Sequence, residues 1–325
     1  MKDRGGVKME LTKMKGTDYS NYAYGTNSLS AYQKTEDKKI SSEDLGVIYE
    51  KSSDNQEFEF YTAEAISASK LSNNYQIQNA LFSLGFYSGP TDGNITSERS
   101  KTAIKHFQKV YGLTEDGKMN STTKKKLNSA YTMKSKIMSS SAIVDIDKKL
   151  DKYSLDYTQR DTFANTWTFL RVGMGLTKRQ AAGVCANIMA ESVFSADNAQ
   201  DEVVVKGKKV YYPGVHNKNN YKYKTNDGVG YGLIQWTYSS RKQGLKDMAK
   251  NMNLSVSNLN VQLAYFRKEM TTEPDYKEAW KEICNVKTAK EASDIFLDKI
   301  ENPKVKNYST RRKFASIIYP RMRNF

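Results

Sequence analysis

Two stretches of this chain place reactive side chains in patterns that chemistry can use. The first is Cys185-Ala-Asn-Ile-Met-Ala-Glu191-Ser192. Thr177 and Gln180 form a capping box, which predicts a helix start. Ala181, Val184, Ile188 and Glu191 then follow at i, i+3, i+7 and i+10, on one helical face. Glu191 continues a buried stripe near a helix C-terminus, where dipole and desolvation both disfavour a negative charge. A carboxyl so placed keeps its proton and can donate it. The competing reading is a glutamate at a fraying helix end, turned to water. The second stretch is Asp227-Gly-Val-Gly-Tyr231-Gly-Leu-Ile-Gln235-Trp236. Its glycines let backbone approach a ligand closely. Tyr231 and Trp236 offer flat faces with polar tips, suited to packing on sugar rings. Gln235 both donates and accepts hydrogen bonds. No Gly-Lys-Ser/Thr follows, so the loop is not a phosphate cradle.

Other chemistries lack their residues. The chain has two cysteines, Cys185 and Cys284, and two histidines, His106 and His216. Zinc hydrolases and Cys–His proteases need more than these spacings supply, so no metal and no cofactor is expected. Cys185 reads as a small core residue, with a disulfide to Cys284 as the alternative. The 325 residues carry 51 basic and 36 acidic side chains, a formal charge of +15. Residues 1–70 hold 10 basic and 12 acidic residues, so the surplus lies entirely in the remaining 255. Such a field favours polyanions. No nucleic-acid motif accompanies it, so an anionic cell wall is the expected partner and no nucleic acid is expected, a well-solvated basic surface without a specific partner being the alternative. No apolar run reaches the ~18 residues of a membrane helix, so no membrane partner is expected. The N-terminus lacks the apolar core of a secretory signal.

The elements that position these residues read as mainly α. Residues 1–70 show no sustained helical period. They form an N-terminal arm or accessory module, with a strand at Glu57–Tyr61. Residues 71–131 carry helical stripes at Ile77, Ala80, Leu81, Leu84 and at Ala103, Ile104, Phe107, Val110. A third helix runs through Lys124 to Leu127. The unit of an Asp-Gly turn, polar residues and a helix occurs at Asp92-Gly93 and again at Asp116-Gly117, an internal repeat. Residues 132–155 are a Lys- and Ser-rich linker. From 156 the chain is helical again, with stripes at Phe163, Trp167, Leu170 and later helices at 245–252, 259–266, 288–299 and 311–319. Between them Val203 to Tyr212 reads as a β-hairpin turning at Lys206-Gly207-Lys208.

Residues 71–131 resemble the peptidoglycan-binding domain 1 family, a three-helix wall-binding module. The matching residues include Ile77-Gln-Asn-Ala-Leu81, Leu84-Gly-Phe86-Tyr87-Ser-Gly89, Asp92-Gly93, Phe107-Gln108 and Asp116-Gly117. Phe86, Tyr87, Asp92 and Asp116 mark the module by this resemblance, the Asp-Gly turns being structural. Residues 156–325 resemble the phage tail lysozyme family of the lysozyme-like superfamily, through Leu176 to Ser192, Gly230 to Trp236, Arg241 with Leu245, Gln262-Leu263 and Glu301-Asn-Pro303. The resemblance implies a lysozyme-like α+β domain with a small β-hairpin, and cleavage of peptidoglycan β-1,4 bonds. It makes Glu191 the catalytic acid and Ser192, Tyr231, Gln235 and Trp236 substrate contacts. Asp197, Asp201, Glu202 and Asp227 are candidates for a second carboxylate, with Asp227 favoured by its place before the glycine loop. Hydrolysis and anhydro-forming cleavage both fit. The expected protein is a glycosidase made in the cytoplasm and acting at the bacterial wall. It is a free endolysin, or a phage or phage-like particle component docked on tail or baseplate proteins through residues 1–70. The alternative is a non-catalytic wall-binding or tail-assembly protein with a retired lysozyme fold.

Overall fold

The computed structural model describes residues 71–150, 154–200, 221–303 and 305–325, together with the backbone of four short strands. Strand β1 (Ile48–Lys51) pairs antiparallel with β2 (Phe58–Tyr61), Ile48 opposite Tyr61. The rest of the N-terminal arm lies outside the described residues. The first module contains α1 (Asn74–Ser83), α2 (Glu98–Val110) and α3 (Ser121–Met138). Its core is Ile77, Leu81, Leu84, Phe86, Phe107 and Leu127, all buried.

The repeat seen in the sequence is a repeated hydrogen-bond device. Gln78 donates to Asp92 at 2.8 Å and to Ser100, and accepts from Gly93 N at 2.8 Å. Gln108 donates to Asp116 at 2.7 Å and to Thr123, and accepts from Gly117 N at 2.8 Å. Each glutamine thus locks an Asp-Gly turn to the first turn of the next helix. Gly93 and Gly117 sit at positive φ, which the turns require. Phe86 and Tyr87 are core residues: Phe86 packs edge-on against Phe107, and the Tyr87 hydroxyl donates to Pro90 O. The four residues that mark the module in the sequence therefore build it.

Within the expected linker, residues 132–150 are not open chain. Tyr131, Lys134, Ile137 and Met138 continue the buried face of α3, and α4 (Ala142–Asp147) follows at once. Lys134 pairs with Asp161 at 2.6 Å on α5 (Tyr157–Thr168) and donates to Ser83 O. A π-helical turn, Phe169–Gly173, extends α5. The second half continues with α6 (Lys178–Ser192), α7 (Ser239–Met252), α8 (Leu259–Thr272), α9 (Pro274–Asn285), α10 (Ala289–Ile295), a π-helical turn at Phe296–Glu301, and α11 (Tyr308–Met322). Helix α9 is absent from the sequence reading. Pro274 looks like a breaker but occupies the first helical turn, where its missing N–H costs nothing. Strands β3 (Glu202–Val205) and β4 (Lys208–Tyr211) pair antiparallel. Their side chains, the residues between them, and 212–220 with His216 lie outside the described residues. Cys185 and Cys284 are both free thiols.

The first module packs directly on the second. Asn260 on α8 donates to Leu84 O and Gly85 O, at 3.2 and 2.9 Å. Lys126 donates to Val172 O, and Tyr111 meets the Phe169 ring edge-on. Gly112 lies against Arg267, where a Cβ would fall 1.9 Å from the guanidinium. Full-length protein should therefore unfold by heat in one transition. Excising residues 71–131 should destabilise the remainder by about 3 kcal/mol or more, since uncovering one buried aromatic alone costs about 1.5–3 kcal/mol. Two independent transitions in calorimetry would refute this shared core.

Candidate active site

Helix α6 is buried over nearly its whole length, and its small residues explain how. At Gly183 a Cβ would lie 2.4 Å from Ala289 O and 2.7 Å from Ala292 Cβ, so α10 touches the α6 backbone. Asn187 donates to Ser293 O and Oγ across the same contact. Gln180 completes the capping box and also donates to Cys284 O and Val286 O. The helix then stops abruptly. Val193 and Phe194 both take left-handed φ, 50° and 58°, a conformation disfavoured for such side chains. Phe194 is held there by full burial against Phe163. Glu191 is thereby fixed in the last turn of a rigid helix.

Two further side chains meet Glu191. Arg311, in the first turn of α11, donates through Nη2 to Glu191 Oε1 and to Glu301 Oε2, the latter at 2.9 Å. Glu301 ends the second π-helical turn, and its Oε2 accepts from the same Arg311 Nη2 as Glu191 Oε1. Side-chain exposure separates the two acids: 22% for Glu191 and 4% for Glu301. Glu191 faces the accessible side and Glu301 lies behind it. Burial, and then the neighbouring Glu191 charge, push the Glu301 carboxyl up to about 8 against the pull of Arg311. Burial also raises Glu191, opposed by Arg311 and then by Glu301. The pair therefore keeps a proton at neutral pH.

The glycine loop is stitched to the end of α6. Ser192 is buried and donates to Leu233 O at 2.8 Å. Asn198 accepts from Gly232 N and donates to Glu191 O. Gln262 accepts from Leu233 N and donates to Ala196 O and Val256 O. Gly232 has φ +79° and would place a Cβ 2.7 Å from Gln262 Oε1, so only glycine fits. Gln235 is half-buried, takes a φ of +52°, and donates to Gly232 O.

Trp236 departs from its expected role. Its indole is 0% exposed and donates to Glu269 at 2.8 Å, with Arg241 bonded to the same carboxylate. Both ring faces are covered by protein, so it cannot pack on a sugar. Tyr231 is likewise buried, stacked on Tyr221 and edge-on to Tyr223. Among the described residues, Tyr238 is an exposed aromatic next to the loop. Ser192 is a strut, with no free hydroxyl face. Asp227 accepts from Lys242 Nζ at 2.6 Å, Tyr221 OH at 2.8 Å and Val229 N at 3.1 Å. Burial would raise its carboxyl, but these bonds outweigh burial and hold it below the usual range. It is an anchored carboxylate paired with a buried lysine. Asp197 accepts from Ser195 Oγ at 2.7 Å. Asp201 and the Glu202 side chain lie outside the described residues. The carboxylate brought to Glu191 is Glu301.

Sequence reasoning missed Glu301 and Arg311 as site residues. For Glu301 the signal existed. Ala292, Phe296, Ile300 and Ser293, Leu297 form a buried stripe, and Glu301 continues it at the helix end. That is the pattern that singled out Glu191. Arg311 carries no such mark, being one of two adjacent arginines opening an amphipathic helix.

Residues 161–322 match the family model described as phage tail lysozyme, and residues 72–127 match that of a putative peptidoglycan binding domain. No curated protein and no solved structure matches the chain.

If Trp236 is a strut, Trp236→Phe should lower stability by about 1–3 kcal/mol, the usual cost of stranding a buried polar partner. Urea unfolding measures this. KM for soluble glycan fragments should stay unchanged, whereas a sugar platform would show the loss in KM.

Proposed function

We propose that this chain, whose residues 161–322 match the phage tail lysozyme family and whose residues 72–127 match a putative peptidoglycan binding domain, cleaves the β-1,4 bonds of the peptidoglycan glycan with Glu191 as general acid. The observation that carries the reading is a partly exposed carboxyl at the end of a buried helix, held up by burial and set beside a second, more deeply buried carboxyl on the same guanidinium. Glu191 donates its proton to the leaving glycosidic oxygen as the C–O bond breaks. The sugar is left cation-like and is captured by water or by one of its own hydroxyls. Glu191, now a carboxylate, takes the proton of that nucleophile. Asp227 has its charge balanced by Lys242, so its role in this scheme is to hold the loop in shape rather than to attack the sugar.

The first module adds wall affinity beside the cleft, and the basic surface adds attraction to anionic wall polymers. Residues 1–70 are proposed to dock the enzyme on tail or baseplate proteins by strand addition, as an alternative to a free endolysin. Loss of a 71–325 truncation from purified particles, with activity kept in solution, is the outcome expected for docking.

Glu191→Gln keeps the shape but cannot donate the proton. It should lower kcat by about 10²–10⁴-fold while sedimentation with purified walls is retained. Near-normal release of glycan fragments would remove Glu191 from the mechanism. Mass analysis of the fragments separates hydrolysis from anhydro-forming cleavage. Wall binding should weaken as salt shortens the screening length below about 10 Å. A flat salt profile in the same sedimentation assay would make the basic surface incidental.

A further inference from the structure

Three elements converge on one buried guanidinium. Glu191 comes from the end of α6, Glu301 from the π-helical turn after α10, and Arg311 from the start of α11. Arg311 reaches Glu301 Oε2 through both Nε and Nη2, at 3.3 and 2.9 Å, and reaches Glu191 Oε1 through Nη2. One cation thus faces two carboxyls. With both ionised, the cluster would carry an uncompensated negative charge around side chains only 4% and 8% exposed. Leaving a buried charge unpaired is among the costliest arrangements in a protein. A second observation points the same way. Glu301 Oε1 is buried and meets no N–H or O–H donor among the described residues. A buried oxygen of this kind calls for a partner. A proton between the two carboxyls supplies that partner and removes the surplus charge at once.

Resting on the general-acid reading of Glu191, we infer that Glu301 is the positioning residue that keeps Glu191 loaded with its proton, the two carboxyls sharing one proton beside Arg311. In the reactive state the proton is on Glu191, and Glu301 is the anion paired with Arg311. Donation to the glycosidic oxygen leaves two carboxylates on one guanidinium. That raises the basicity of Glu191 at the moment it must take a proton from the capturing nucleophile. The cycle returns one proton for the one donated, and no other reactant is needed. Asn187 and Ser293 are neutral and bonded to each other. Arg241 donates to Ile300 O, next to Glu301, but its charge is matched by Glu269.

The sign of the pH effect follows. Glu301 is held up to about 8 by burial and by Glu191. The pair keeps its proton below that pH and loses it above, so activity falls on an alkaline limb. The test is the pH profile of kcat/KM on soluble glycan fragments, with full-length wild type, Glu301→Gln and Arg311→Gln. In Glu301→Gln the amide carries no charge, and Arg311 pairs with Glu191 alone. The limb should move to lower pH by one unit or more, a tenfold or greater loss on the alkaline side. Arg311→Gln removes the cation that favours ionisation and should move the limb to higher pH. Infrared difference spectra at neutral pH should show a protonated carboxyl band in wild type that Glu301→Gln lacks. A Glu301→Gln enzyme that folds by circular dichroism, keeps the limb in place and loses activity equally at all pH would overturn the inference and leave Glu301 purely structural. An unchanged infrared band would overturn it independently of turnover. Full activity of Glu191→Gln would instead overturn the general-acid reading itself.

Discussion

The guanidinium of Arg311 is the point on which the second half of this protein turns. Two glutamates lie against it, one reachable from solvent and one not. Each side chain is tolerable in the interior only because the other two are present. Removing Arg311 would leave two buried carboxyls with no cation, and removing either carboxyl changes the charge seen by the other. The backbone contacts that bring α6, α10 and α11 together are the conditions for this pairing. Gly183 allows α10 to lie on α6 without a side chain between them, and Asn187 ties the same pair through Ser293. A larger residue at 183 would part α10 from α6 and shift the π-helical turn that carries Glu301.

Both acids stand at or beside irregular backbone. Glu301 closes a π-helical turn, and Asn302 after it takes a left-handed φ of 45°. Glu191 stands two residues before the left-handed pair Val193 and Phe194. Conformations of this sort each cost on the order of 1–3 kcal/mol and persist where packing over-determines them. Here Phe194 is packed against Phe163, and Ile300 O is held by Arg241. The irregularity aims two carboxyls at one guanidinium from helices that would otherwise carry their C-terminal residues past each other.

Much of this was legible in the chain itself. The capping box at Thr177 and Gln180 gave the start of α6, and the stripe through Ala181, Val184 and Ile188 gave the face that Glu191 shares. The Asp-Gly turns gave the repeat in the first module, because a turn needing positive φ writes itself as glycine. What the sequence concealed was direction. Trp236 reads as a sugar platform because tryptophan serves both surfaces and cores. Only the position of Glu269, 33 residues away, decides that its indole points inward. Asp227 reads as a second catalytic carboxylate until Lys242 is seen beside it. A lysine 15 residues on is invisible as a partner, since nothing in a helical period marks a buried cation. The Lys- and Ser-rich stretch after residue 131 reads as linker by composition, yet Ile137 and Met138 keep its apolar face and Lys134 finds Asp161.

The charge distribution sets a problem that the buried pair solves. On the proposed function, a formal charge of +15 attracts the protein to an anionic wall, but positive potential favours ionised carboxyls and would draw the proton off a general acid. The two influences act over different ranges. Exposed lysines more than about 10 Å from the site are largely screened at 0.1 M salt. Glu301 shares the Arg311 guanidinium with Glu191 and is shielded from solvent, so its hold on the shared proton acts at close range and unscreened. A single buried glutamate can therefore offset a diffuse field of many surface cations, and it can do so without lowering the net charge that brings enzyme and wall together. The close cation, Arg311, is shared between the two acids, so its pull on either is divided. Wall attraction is thus carried by the surface and proton retention by the interior, and each can change without undoing the other.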